Sequence, residues 1–146
     1  MKNIMLLFLS DVKPFALKAP KHYELWGRSV DCIQTNESAV LYMQEFLQRK
    51  TSGEGLEKIF MISSEATRTP IRDDKDNIVD ERTPLQVFEE AVLRQHPELE
   101  DHFIPIEYPQ GNMDECILQV ASMAERIKQE CAAYEDKEIC LHADMT

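Results

Sequence analysis

Ile4-Met5-Leu6-Leu7-Phe8-Leu9, followed at once by Ser10-Asp11, is the stretch that decides the fold. Six apolar residues without alternation suit a strand covered on both faces, and such strands belong to parallel sheets flanked by helices. The run is too short for a signal-peptide core or a membrane span. Two later segments repeat the pattern: Lys58-Ile59-Phe60-Met61-Ile62, which stops at Ser63-Ser64, and Phe103-Ile104-Pro105-Ile106. Pro105 has no amide hydrogen to give a sheet, which predicts an edge or a strand end there. Ile139-Cys140-Leu141 is a fourth, shorter candidate that runs into His142-Ala143-Asp144-Met145-Thr146.

Helical periods fill the intervals. Thr35 or Asn36 caps a helix reaching about Lys50, whose apolar stripe is Val40, Met43 and Leu47 with Ala39 and Phe46 beside it. Thr83-Pro84 opens a second, with Gln86 at the third position to complete a capping box. Leu85, Phe88, Ala91 and Val92 form its buried face, and Pro97 ends it. After the turn Tyr108-Pro109-Gln110-Gly111, Asn112 caps a third helix with Glu115 closing its box. Met113, Ile117, Val120, Ala124, Ile127 and Cys131 mark the buried stripe of that helix. Residues 12–34, with Pro14, Pro20 and Gly27, read as an irregular excursion or a hairpin, and Asp73 to Asn77 as an exposed turn in the charged segment 68–82. Strands alternating with helices predict one Rossmann-like α/β domain over residues 1–146, mostly parallel, with right-handed crossovers.

Composition narrows the function. One hundred and forty-six residues suffice for a core without staples, and 43% hydrophobic content argues against disorder. Sixteen basic against twenty-seven acidic residues leave a net charge of −11, which disfavours a broad grip on duplex nucleic acid. A single small anion in a local pocket remains compatible with that balance. Cys32, Cys116, Cys131 and Cys140 show no C-x-x-C spacing, so a structural zinc is not expected. The thiols read as reduced, the location as cytoplasmic, and no cofactor or membrane association is expected.

In a parallel sheet the carboxyl ends of the strands share one edge, and ligands bind in the crevice beyond it. That rule gathers Ser10 and Asp11, Ser63 and Ser64, and Asp144 and Thr146 along one line. The turn with Gly111 and Asn112 adds the start of the last helix, whose free amides suit an anion. Hydroxyls, amides and a carboxylate fit a nucleotide-like ligand, although such residues at strand ends also cap helices and turns. Arg68 and Arg72 follow the second strand and are placed to reach phosphate, or to balance Glu65 and Asp73 in a solvated loop. His96 and His102 flank loop residues and read as solvated; His142, close to Asp144, reads as structural. There is no G-x-G-x-x-G, no P-loop, no G-x-S-x-G elbow and no H-x-x-x-H pair, so no catalytic set is assigned.

Three stretches resemble the ligand-sensing domain of CRISPR-associated Rossmann-fold (CARF) proteins. They are Met5-Leu6-Leu7-Phe8-Leu9-Ser10, then Ile104-Pro105-Ile106 with Pro109-Gln110-Gly111-Asn112-Met113-Asp114-Glu115, then Leu141-His142-Ala143-Asp144-Met145-Thr146. The last matches the first three positions of an Asp-x-Thr-(His/Gly)-Gly-x-Arg motif; the glycines and arginine that follow in the family are not in this sequence. The resemblance implies a sensor that binds cyclic tetra- or hexa-adenylate across a homodimer and regulates an attached effector, a ribonuclease in the nearest relatives. It implies that Ser10, Asp11, Ser63, Ser64, Asp144 and Thr146 line the ligand pocket. It also implies a domain missing its last strands. The family's Arg-x4-6-His ribonuclease motif does not occur, so no ribonuclease activity is expected of this chain. The competing readings are a small stand-alone α/β nucleotide-binding enzyme, a ring nuclease that cleaves the cyclic ligand, and a protein-interaction scaffold.

Overall fold

The computed structural model describes residues 1–50, 54–107, 113–135 and 138–144. The opening apolar run becomes β1 (Lys2–Phe8), with Ile4, Met5 and Leu7 almost fully buried. A short helix, α1 (Pro14–Lys18), leads to a hairpin of β2 (Lys21–Leu25) and β3 (Arg28–Cys32), and then to α2 (Thr35–Lys50). Next come β4 (Leu56–Ser63), a single 3-10 turn over Glu65–Arg68, and a small hairpin of β5 (Ile71–Arg72) and β6 (Ile78–Asp80). The chain continues through α3 (Pro84–Gln95), β7 (Phe103–Glu107), α4 (Met113–Glu130) and β8 (Ile139–Asp144).

Four strands form one parallel sheet in the order β7-β4-β1-β8. The chain steps outward from β1 to β4 to β7, then returns across the sheet to pair β8 with the other side of β1, Lys2 opposite Ile139 and Leu7 opposite Asp144. This is a Rossmann-like α/β arrangement, and its order reverses between β1 and β8. Pro105 lies in β7, an edge strand, where a missing amide hydrogen costs no ladder bond.

Both faces of the sheet are covered, which explains why its central strands are apolar without alternation. Met5, Leu7, Ile59 and Met61 pack with Val40, Leu41 and Leu47 of α2 and with Phe88 and Val92 of α3. Ile4, Phe60 and Ile106 on the opposite face meet Met123 and Ile127 of α4, with Cys131 and Tyr134 just beyond it. The stripe expected of α4 is corrected here. Val120 is 50% exposed and Ala124 is exposed. The row touching the sheet is Met123, Ile127 and Cys131, at i, i+4 and i+8, and Val120 and Ala124 stand one row aside. The capping box expected of Asn112 and Glu115, and the side chains of Met113, Cys116 and Ile117, lie outside the described residues.

The segment 12–34 resolves into its hairpin for a local reason. Trp26 (φ 50°) and Gly27 (φ 84°) both adopt left-handed backbone, as a two-residue turn matching strand twist requires. Trp26 then stacks on Tyr42 at 4.9 Å, with the Arg49 guanidinium 4.9 Å from its ring, pinning the hairpin to the outside of α2. In α3 the expected capping box is present: Gln86 N donates to Thr83 Oγ1 at 3.1 Å, and Thr83 N to Gln86 Oε1 at 2.9 Å. Among the described residues no helix is long and apolar enough to cross a membrane.

Candidate functional site

The strand order reverses between β1 and β8, and in open α/β sheets a ligand crevice is expected beyond the carboxyl ends of strands at such a point. Asn36 occupies its floor. Helix α2 begins at Thr35, so Asn36 sits inside the first turn and is not the cap its sequence position predicts. Its side chain, on a residue 1% exposed, instead bridges three parts of the sheet edge. Asn36 Oδ1 accepts from Ser10 N at 2.9 Å and Ser10 Oγ at 3.0 Å. Its Nδ2 donates to Phe8 O at 3.1 Å and to Asp144 Oδ2 at 2.8 Å. Ser10 and Asp144, 134 positions apart, therefore meet on one buried amide.

Polar groups crowd the same corner. Gln34 Nε2 donates to Ser10 O at 2.9 Å and to Pro84 O at 3.3 Å, tying α3 to the end of β1. Glu37, 1% exposed, accepts from Ile33 N at 2.8 Å across the entry to α2. Burial pushes its carboxyl up to about 7, and the backbone amides of Ile33 and Gln34 oppose that rise without cancelling it. The neighbouring Cys32 thiol is pushed up to about 12, first by burial and then by Glu37 itself. Gln34 Oε1 and Glu37 Oε1 are buried with no hydrogen-bond partner among the described residues.

On the other side of β1 the edge is open. Ser63, fully buried at the end of β4, donates through Oγ to Ile106 O at 3.3 Å. It sits at the base of a groove of about 630 Å3 running from the start of α3 to the middle of α4. Arg68, Glu107, Ser122 and Arg126 supply the polar walls, and Leu85, Pro105 and Met123 the apolar ones. Arg68 Nη1 pairs with Glu107 Oε1 at 3.2 Å, while Arg68 Nε is buried with no partner among the described residues.

The remaining strand-end residues are placed elsewhere. Ser64 stands at the start of the 3-10 turn, where its carbonyl accepts from Thr67 Oγ1 at 2.8 Å. Asp11 is exposed, accepts from Val12 N at 2.8 Å, and faces a smaller cleft of about 220 Å3 shared with Arg72 and Asp73. Gly111, Asn112 and Thr146 lie outside the described residues. Arg72 holds Asp76, with Nη1 donating to its carbonyl at 2.8 Å, so its partner is neither Glu65 nor Asp73. His142 Nε2 meets Asn3 Oδ1 at 3.1 Å, and burial lowers its pKa, favouring the neutral ring.

Of two histidines read as solvated, His96 is buried and His102 half-buried. His96 is 8% exposed, with Nδ1 2.7 Å from Glu98 Oε1 and Nε2 3.4 Å from Glu45 Oε2. His102 Nδ1 lies 2.9 Å from Leu56 O. The charged partners of His96 come from α2 and from the 3-10 turn Pro97–Leu99, a tertiary convergence that neighbouring letters do not announce. This cluster lies at the amino edge of the sheet, away from the crevice. There Glu45 also holds Arg28 through two bonds of 3.2 and 2.8 Å.

Comparison with protein-family models, with curated proteins and with solved structures returns no match. The site is therefore read from its own chemistry. The structure brings Ser10 and Asp144 onto Asn36, which the sequence offered only as a cap, and sets Ser63 in a groove with Leu85, read from sequence only as core, and with Ser122 and Arg126, to which sequence gave no role. An asparagine at a helix start between two strand-end serines was the available signal for Asn36. Arg126 gives no such signal, because it looks like any exposed helical cation.

Proposed function

We propose that this chain is the sensing domain of a type III CRISPR effector of CARF type, binding a cyclic oligoadenylate at the carboxyl edge of its sheet. The observation that carries the reading is the Asn36 bridge, which holds Ser10 and Asp144 together where the strand order reverses. These are the strand-end residues of the first and third stretches on which the family resemblance rests. The second stretch, around Ile104-Pro105-Ile106, falls in β7 of the same sheet and leads toward α4. In this reading Asp144 accepts from ribose hydroxyls, Ser10 lines the ring's path, and a homodimer presents two such edges to one two-fold ligand. Binding then biases an attached effector, a ribonuclease in the closest form of the proposal, in the cytoplasm.

Calorimetric titration with cyclic tetra-adenylate and cyclic hexa-adenylate tests it. One ring should bind per two chains, and Ser10→Ala and Asp144→Ala should each weaken it about ten- to a hundred-fold, since one hydrogen bond to a charged group is worth roughly 1.5–3 kcal/mol. Absence of binding by both rings would remove the proposal.

A further inference from the structure

The groove between β4, β7 and α4 carries chemistry that the Asn36 bridge does not use. The chain has eleven more acidic than basic residues, yet the charged walls of this groove are two guanidiniums against one carboxylate. Arg68 reaches it from the 3-10 turn after β4, and Arg126 from near the end of α4. Their present partners are weak. Glu107 is 78% exposed, and Glu130 lies 3.9 Å from Arg126 Nε on a side chain itself 53% exposed.

Arg68 adds the second observation. A guanidinium offers five N–H donors in a planar fork, and its ion pair here uses Nη1. Its Nε–H is buried and without a partner among the described residues. A buried donor in that state costs stability, and native structures tolerate few of them without a reason. A tetrahedral oxyanion can satisfy such a fork in two-point fashion, whereas Glu107 meets it through Nη1 alone. Ser122 on the same wall contributes a hydroxyl donor, and Leu85 and Met123 give a flat organic group an apolar seat. The volume, about 630 Å3, falls among those of small-molecule sites, which run from about 300 to 1,000 Å3.

We infer that this groove is a phosphate-binding site in which Arg68 and Arg126 clamp a phosphate monoester or diester and Leu85 and Met123 receive its organic portion. Glu107 acts as the displaceable counter-ion that holds Arg68 in place while the groove is empty. The assignment rests on the groove alone and stands whether or not the crevice beside Asn36 takes a cyclic ring.

Titration of the full chain with adenosine 5′-monophosphate, inorganic phosphate and adenosine separates the contributions. AMP should bind, adenosine should bind at least ten-fold more weakly, and phosphate should compete with AMP. Arg68→Gln and Arg126→Gln should each weaken AMP about ten-fold or more, while Glu107→Gln tightens it by removing the competing carboxylate. Glu107 is exposed, so that variant keeps the test sharp even if an arginine variant unfolds. Arg49→Gln, which removes a cation that lies over Trp26 and does not line the groove, should leave AMP affinity unchanged. No AMP binding by the native chain, equal affinity for AMP and adenosine, or AMP affinity unchanged in both Arg68→Gln and Arg126→Gln overturns the assignment. Ring binding without AMP binding would overturn it too, while leaving the CARF proposal standing.

Discussion

At the first turn of α2, Glu37 is buried with one carboxylate oxygen lacking a partner; two turns later Glu45, 14% exposed at its side chain, is gripped by Arg28 and faces His96. The first end looks into the sheet's carboxyl edge, the second into its amino edge. Four buried side-chain atoms lack hydrogen-bond partners among the described residues, and three of them, on Gln34, Glu37 and Arg68, lie at the carboxyl edge. The fourth, His96 Nε2, still sits 3.4 Å from a carboxylate. One helix thus joins a saturated, charge-paired end to an end whose polar groups exceed the partners supplied. Of those three, Arg68 lies in the wall of a groove, where a ligand can answer its unused donor.

The largest test of this contrast is Asn36→Ala. It removes one hydrogen bond each from Ser10 N, Phe8 O and the buried Asp144 carboxylate, and at roughly 1 kcal/mol per neutral bond and 1.5–3 for the one to a carboxylate the loss should reach about 3–5 kcal/mol in urea denaturation. A loss below about 1 kcal/mol would mean that the bridge is decoration.

The next concerns pH. Glu37 titrates at about 7 when folded against 4.5 ordinarily. Its raised value means the folded chain holds a proton that the unfolded chain has released between those limits, so stability falls as pH rises from 4.5 to about 7 and levels off above. At about 1.4 kcal/mol per pH unit the effect is roughly 3 kcal/mol. Denaturation of native and Glu37→Gln proteins across that range should show the slope in the first only; parallel curves would refute the assignment.

The amino edge gives smaller effects. A Cβ at Gly55 would overlap the Gln44 amide, whose Oε1 accepts from Leu56 N at 2.7 Å. Gly55→Ala should therefore cost about 1–3 kcal/mol, as overpacking does, and much less in a Gln44→Ala background. Additive losses in that cycle would place the strain elsewhere. Glu98 leans opposite to Glu37 in pH. Burial raises its carboxyl, but hydrogen bonds from its own amide, His96, Gln48 and Gln44 outweigh this and hold it at about 2. Its contribution is present above 4.5 and fades as pH falls from 4.5 toward 2. Because its side chain is 46% exposed, Glu98→Gln should cost less than about 1 kcal/mol at pH 7, and a greater cost would show a more enclosed pair.

The sheet was legible because its central strands are buried on both faces, leaving continuous apolar runs at Ile4–Leu9 and Ile59–Ile62 that no local rule contradicts. Pro105 announced an edge for the same kind of local reason. Asn36 was not legible as an organiser. A cap and a bridging amide have the same local signature, and what separates them is the approach of Ser10 and Asp144 from 26 and 108 positions away. His96 misled in the same fashion, since its burial is made by Glu45 across the helix pair. Val120 and Ala124 fit a helical period, but the sheet beneath α4 meets the neighbouring row.

The pairing of β1 with β8 carries a consequence for how the chain assembles. During synthesis β1 emerges before β4 and can dock on it once residue 63 is made, but its second edge stays open until Ile139–Asp144 arrives. That closing contact spans most of the sequence, and contacts of such separation form slowly. In the interval an apolar strand with one open edge can recruit the wrong partner, including another nascent copy. Asn36, at the start of α2, is then a latch for the right strand, because β8 brings the Asp144 carboxylate to its amide.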